Sequence, residues 1–223
     1  MNNSSKSQFE YVLFDLDETL YPKEAGLMDA VGERILIFMT QKVGIPADDA
    51  TIMRRKYYQQ YGTSLRGLMV EYNIDPADYL AFVHAVDPHE FLGPSPPLDE
   101  MLHAVPLRKA IFSNADVVHC ERVLDTLRVR PHFDRIIDIE AVNFKSKPDP
   151  LAYQQALEIL DVSGEGCIMI DDKPRNLIPA RDLGMTTILV DGDSDTIAID
   201  YTVPTIFHVG SILRRLLPDS LTR

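Results

Sequence analysis

Positive charge is scarce in this chain: 22 Lys and Arg stand against 34 Asp and Glu over 223 residues, a formal net charge of −12. Binding a phosphate backbone recruits a basic surface to displace counterions, so this balance argues against a nucleic acid polymer as partner. It does not bear on a small phosphorylated ligand, because one divalent cation and a few local donors can offset the field within a single pocket. Cysteine is equally sparse. Cys120 and Cys167 form no CxxC pair and sit in apolar segments, which argues against a structural disulfide or zinc site and for a reducing cytoplasm. No apolar run approaches the roughly 18 to 20 residues that span a bilayer. The opening stretch Met1 to Gln8 lacks the apolar core of a signal peptide and reads as a short disordered lead-in. Low-complexity tracts and internal repeats are also missing. What remains, 45% hydrophobic and 25% charged, is the composition of an ordinary globular protein large enough to bury a substantial core.

Short continuous apolar runs mark strands buried on both faces of a parallel sheet. Tyr11-Val12-Leu13-Phe14 is one, and it ends abruptly in Asp15-Leu16-Asp17. Residues 109–112, 167–170 and 186–190 behave alike, running into Ser113-Asn114, Asp171-Asp172 and Asp191, and residues 135–138 add a further candidate. Helical patterns over 117–129, 150–161 and 174–183 lie between them. The expected fold is therefore α/β, a doubly wound parallel sheet with a Rossmann-like core, whose ligands bind outside the carboxyl ends of the strands. Residues 24–95 break the rhythm. Val31, Ile35, Phe38 and Val43 recur near helical spacing and no convincing strand follows, so this stretch is expected to be an inserted all-helical domain. The expected boundaries are 1–23 and 96–223 for the core and 24–95 for the insert. Tyr21-Pro22-Lys23-Glu24 and Gly93-Pro94-Ser95-Pro96-Pro97 serve as hinge linkers.

The candidate chemistry lies at the strand ends. Asp15 and Asp17 are two residues apart where a buried strand breaks into a turn, so both can approach one ligand, although a capping role explains a lone pair equally well. Asp171-Asp172 ends a second strand, and carboxylates gathered at neighbouring strand ends suit Mg²⁺, which takes hard oxygen ligands and substrate phosphate together. Ser113 and Asn114, between a strand and a helix, can offer a hydroxyl, an amide and backbone N–H groups to a phosphate, or serve as a helix cap. Lys147 lies in Lys145-Ser146-Lys147-Pro148-Asp149-Pro150, where Pro148 stiffens the loop and Asp149-Pro150 reads as a cap followed by the first helical position. The six histidines show no paired metal spacing and receive no role.

These signals in this order resemble the haloacid dehalogenase superfamily: Asp15-x-Asp17-x-Thr19, then Ser113, Lys147 and Asp171-Asp172, over residues 11 to about 192. The resemblance implies a Mg²⁺-dependent phosphatase in which Asp15 attacks phosphorus and forms an aspartyl-phosphate, and Asp17 acts as general acid and then base. It implies metal ligation by the Asp15 side chain, the Asp17 backbone carbonyl and an acidic residue of the last motif, Asp171 first and Asp172 as its neighbour or alternate. Lys147 neutralises charge, Ser113 and the Asn114 amide hold phosphoryl oxygens, and Thr19 orients Asp17. Asn176 orders the acidic loop or is a solvated helix residue. Asp17 favours phosphate chemistry, since the dehalogenase branch lacks this second aspartate.

The insert resembles the first type of cap in that superfamily. Its stretch from Tyr57 to Met69, with the adjoining residues 17–22, is similar to pyrimidine 5′-nucleotidase-like members. That implies a nucleoside monophosphate substrate, with a tyrosine stacking on the base and Arg66 contacting a carbonyl or phosphate. Tyr57 and Tyr61, at i and i+4, can equally pack the core of the insert. Rival readings are a phosphatase of phosphoglycolate or sugar phosphates, a phosphomutase, and a non-enzymatic receiver-like phospho-switch. The order of motifs and the helical insert argue against the last.

Overall fold

The structure, a computed structural model of the chain, describes residues 8–192 and 199–217; the expected lead-in lies, up to Ser7, outside them. Among the described residues six parallel strands form one sheet: β1 Tyr11–Phe14, β2 Arg108–Phe112, β3 Arg135–Ile137, β4 Cys167–Asp171, β5 Thr186–Val190 and β6 Tyr201–Val203. Their order is β3-β2-β1-β4-β5-β6. The chain builds outward from β1 to β3, then returns to the other side of β1 and builds the opposite way. A crevice therefore opens at the carboxyl ends of β1 and β4, where the direction of winding reverses. The sequence pattern located the first five strands to within a residue of their bounds. β6 has no counterpart among the expected strands, because three residues, two of them half-buried, make no run long enough to read.

Strand alternation sorts the core into two layers. Val12 and Phe14 of β1 face one side, where α5 (Pro96–His103), α6 (Val117–Leu127) and α9 (Val209–Leu216) cover the sheet with Leu98, Leu102, Val123, Leu124 and Leu213. Tyr11 and Leu13 face the other, covered by α7 (Pro150–Leu160) and α8 (Pro174–Asp182) through Ala152, Tyr153, Leu177 and Ala180. Cys120 and Cys167 are buried in different layers. The doubly wound expectation holds. The prolines expected in the second linker behave differently: Pro96 opens α5 and Pro97 lies within it, because the first helical turn has no use for the N–H that proline lacks.

Four α-helices occupy the interrupted stretch: α1 Leu27–Ile37, continued by a π-helical turn over Phe38–Lys42, α2 Ala47–Tyr61, α3 Ser64–Tyr72 and α4 Pro76–Val83. They enclose a third cluster containing Val31, Phe38, Met39, Tyr57, Leu68, Tyr79 and Leu80. Tyr57 is fully buried in it and packs against Gly67, where an added Cβ would lie 2.3 Å from Tyr57 Cγ. The Tyr57 and Tyr61 rings stand 6.0 Å apart, so the internal packing expected from their i, i+4 spacing is what occurs and Tyr57 is shut away from any ligand. The α2–α3 turn rests on the Lys147 loop: a Cβ on Gly62, at φ +88°, would come within 2.9 Å of the Lys147 carbonyl oxygen, and Ser146 donates to the Tyr61 carbonyl at 3.1 Å. Among the described residues no helix is long and apolar enough to cross a membrane.

Candidate active site

Asp15 extends β1 by one residue, its N–H bonded to the Ile170 carbonyl at 2.9 Å, and then the chain turns through Glu18 at φ 61°. Asp15 and Asp171 thereby end adjacent strands side by side. Between them lies Lys147, whose Nζ donates to Asp15 Oδ1 at 2.8 Å and to Asp171 Oδ2 at 2.9 Å, with the lysine itself 1% exposed. The loop carrying it is fixed by a reciprocal amide pair: Asn114 Nδ2 donates to the Lys147 carbonyl at 3.1 Å, and the Lys147 N–H donates to Asn114 Oδ1 at 2.8 Å. Asp149 caps α7 and Pro150 opens it, as the sequence indicates.

Asp171 is fully buried and answered on every side, by Lys147, by the Lys173 N–H at 2.8 Å and by Asn176 Nδ2 at 3.0 Å from each of its oxygens. Asn176 is thus a buried partner of the acidic loop, not a solvated helix residue. Asp172 meets Lys173 at 2.6 Å and receives a bond from the Thr19 hydroxyl at 3.2 Å. Carboxylate oxygens of Asp15, Asp171 and Asp172 lie within 4.8 Å of one another, a set of hard oxygen donors able to hold a divalent cation.

Three carboxylates share this pocket with Lys147 and Lys173, and the proton affinities reflect it. Burial pushes the Asp15 carboxyl up to about 8, with Asp171 and Asp172 adding to the rise and Lys147 opposing it. Burial works against the Lys147 ammonium, but Asp15 and Asp171 hold it above the ordinary lysine range. Asp172 is also raised, first by burial.

Thr19 does not orient Asp17. Its hydroxyl lies 3.2 Å from Asp15 Oδ2 and accepts the Asp172 N–H at 3.1 Å, because the turn after Asp17 aims position 19 back at the metal-type cluster. Asp17 points elsewhere, receiving the Tyr21 hydroxyl at 2.5 Å and facing His119 Nε2 at 2.9 Å. Burial opposes its charge, but His119 and the bond from Tyr21 outweigh that and hold the carboxyl below its ordinary range. Ser113 is buried, and its hydroxyl accepts the Ala115 N–H at 3.0 Å. The cap of α6 is Asp116, whose carboxylate accepts the His119 N–H at 2.7 Å.

A cavity of about 570 Å³ opens above these residues, bounded by Asp15, Asp17, Ser113, Asn114, Lys147 and Asp172 on the sheet side. The helical segment supplies the far wall. Arg54, Arg55 and Tyr58 of α2 line it; Arg66 is not among the lining residues, because position 66 lies in the first turn of α3, on whose buried face Leu65 and Leu68 pack instead. Arg54 lies close over Gly32, where a Cβ would meet Nη2 at 2.7 Å. His84, at the end of α4, also lines the cavity and stacks on His119 with ring centroids 4.4 Å apart. The histidines carry no paired metal spacing, yet these two stand at the site, His84 in its wall and His119 against Asp17. A signal was available: His119 falls on the buried stripe of α6 with Cys120, Val123, Leu124 and Leu127, where a polar ring demands a partner.

Known proteins resemble this chain in sequence and in fold. The family model of haloacid dehalogenase-like hydrolases matches residues 9–184, and the chain belongs to that family of hydrolases. It is 28% identical over 194 residues to phosphate metabolism protein 8 of Saccharomyces cerevisiae, a match covering 79% of this chain. The chain spans about 60% of that relative's length. Among solved structures, the phosphatase of this superfamily from Thermococcus onnurineus superposes with a TM-score of 0.64 at 20% identity, covering 92% of this chain and 98% of the other. The L-2-haloacid dehalogenase of Xanthobacter autotrophicus superposes with a TM-score of 0.64 at 18% identity, covering 94% and 100%. At such identities these two likenesses speak to the fold.

Proposed function

We propose that the chain is a phosphomonoester hydrolase in which Asp15 is the covalent nucleophile and Asp17 the proton carrier. The observation that carries this reading is the division of labour between the two carboxylates. Asp15 is gathered with Asp171, Asp172 and Lys147, whereas Asp17 opens on the same cavity but is held apart from that cluster. Asp15 forms a bond to phosphorus as the bond to the leaving oxygen breaks, and Asp17 gives that oxygen its proton. Water then attacks the aspartyl-phosphate, Asp17 takes its proton, and Asp15 is released with inorganic phosphate. Asp17 is ionised in the ligand-free arrangement; a phosphoryl group beside it adds negative charge and raises its proton affinity, loading it for the first step.

The donor set fits Mg²⁺, with Asp15, the Asp17 carbonyl and Asp172, which lines the cavity, as ligands and the buried Asp171, already bonded to Lys147 and Asn176, behind them; the ion when bound would offset charge on the phosphoryl oxygens. Lys147 neutralises the same oxygens from below, and Ser113 with the Asn114 N–H meets them at the strand end. The helical segment 24–95 serves as a cap that excludes water from the cavity it walls.

For substrate we favour a nucleoside 5′-monophosphate in the cytoplasm. Tyr58 offers a ring and Arg54 and Arg55 offer donors on the wall opposite the carboxylates, and the insert resembles pyrimidine 5′-nucleotidase-like caps. Turnover of UMP, CMP, AMP, phosphoglycolate and sugar phosphates with Mg²⁺ tests this. A preference for nucleotides is expected, no preference removes the substrate assignment, and transfer to a second hydroxyl in place of water indicates a mutase.

A further inference from the structure

We propose that His119 and Tyr21 form a clamp that aims Asp17, fixing one carboxylate oxygen so that the other faces the leaving group. The clamp rests on the reading of Asp17 as proton carrier. Both partners converge on the same atom: the Tyr21 hydroxyl reaches Asp17 Oδ1 at 2.5 Å, and His119 Nε2 reaches it at 2.9 Å. Among the described residues no hydrogen bond engages Oδ2, while Asp17 itself lines the cavity. A carboxylate held through one oxygen cannot rotate about its terminal torsion without breaking both bonds, so Oδ2 keeps a fixed direction.

The clamp is itself held. The His119 side chain is 1% exposed, its backbone N–H is tied to Asp116 Oδ1 at 2.7 Å, and its ring is covered by His84 at an interplanar angle of 27°. His84 Nδ1 lies 3.1 Å from the other oxygen of Asp116, so the end of α4, the cap of α6 and the ring that faces Asp17 form one packed unit. His119 Nδ1 has no hydrogen-bond partner among the described residues. The single polar contact of the ring is thus the one to Asp17, which is the arrangement expected of a group kept in an apolar stripe for that contact. Tyr21 contributes a hydroxyl that stays protonated, since burial and Asp17 lift it well above the usual phenol range. Thr19, whose hydroxyl is engaged by Asp15 and Asp172, does not compete for this task.

An aimed acid matters in proportion to how badly the leaving oxygen needs a proton, which separates aiming from a merely structural role. Tyr21→Phe, His119→Leu and His119→Gln, each with Mg²⁺, are compared with the unaltered enzyme and Asp17→Asn in single-turnover release from phenyl, 4-nitrophenyl and 2,4-dinitrophenyl phosphate. Phenyl phosphate release should fall roughly 10- to 100-fold in Tyr21→Phe and His119→Leu, with 2,4-dinitrophenyl phosphate within about threefold. His119→Gln, which keeps a donor near Nε2, should recover part of the loss. An equal fall on all three esters, or none on any, overturns the clamp. If Asp17→Asn itself fails to discriminate among them, the proton-carrier reading falls and the clamp with it. If Asp17→Asn discriminates and the clamp variants do not, the clamp alone is refuted.

Discussion

Lys147 Nζ lies 2.8 Å from Asp15 Oδ1 in a pocket where the lysine is 1% exposed and three carboxylates crowd together. Removing one partner of a buried pair leaves the other charge stranded, a loss of about 3 kcal/mol. Lys147→Met should show such a loss in urea unfolding with metal chelated, with partial recovery on adding Mg²⁺, and a fall in turnover of roughly 100-fold or more. Unchanged stability would mean the lysine is not compensating the cluster.

The strand ends were legible because burial and charge conflict there. An apolar run such as Tyr11–Phe14 that breaks into two carboxylates announces the carboxyl end of a buried strand with polar work to do, and Cys167–Asp171 repeats the pattern. Lys147 was legible through the order of motifs, not through its own surroundings, which read as an ordinary loop. In the sequence His119 has no legible role, and Tyr21 reads only as the start of a hinge linker. His119 meets its partner across 102 residues of sequence: its place on the buried stripe of α6 calls for a polar partner, but only the fold says that the partner is Asp17. That Arg54 and Arg55 line the cavity and Arg66 does not is illegible for a related reason: which face α2 and α3 present depends on how Tyr57 packs against Gly67, a tertiary contact with no periodic signature.

Metal binding should depend on pH through Asp15. Its folded carboxyl holds a proton up to about 8, whereas an unfolded-chain carboxyl loses it near about 3.9. The stability tied to that proton is fully present below the lower value and is lost as pH rises through the upper one. Mg²⁺ needs the ionised carboxylate, so the gain in melting temperature on adding it should grow from pH 6 and level off above about 8, where no proton remains to displace. A gain independent of pH would contradict the assignment of Asp15 as a ligand.

Arg54 and Arg66 should separate in kinetics. Arg54 lines the cavity and Arg66 does not. With UMP, Arg54→Ala should raise KM roughly tenfold with kcat little changed, while Arg66→Ala stays within about twofold. Gly32→Ala, whose Cβ would lie 2.7 Å from Arg54 Nη2, should push the guanidinium aside and reproduce part of the Arg54 effect. Equal effects at positions 54 and 66 would return the role to α3.

The helical segment should be sensitive at Gly67, where a Cβ would lie 2.3 Å from Tyr57 Cγ. Gly67→Ala should destabilise by about 1–3 kcal/mol through overpacking. Adding Tyr57→Leu should cost less than the two changes summed, since the smaller side chain relieves the clash. Additive losses in urea unfolding would show that the two positions do not share a packed contact.

The covalent role of Asp15 is tested most directly by trapping. Enzyme turning over 4-nitrophenyl phosphate with Mg²⁺ is quenched and treated with borohydride, which reduces an aspartyl-phosphate to homoserine, and the peptides are weighed. Homoserine at position 15, absent in Asp15→Asn and accompanied there by loss of turnover, is the expected result. Homoserine at another position, or Mg²⁺-dependent turnover retained in Asp15→Asn, would contradict it.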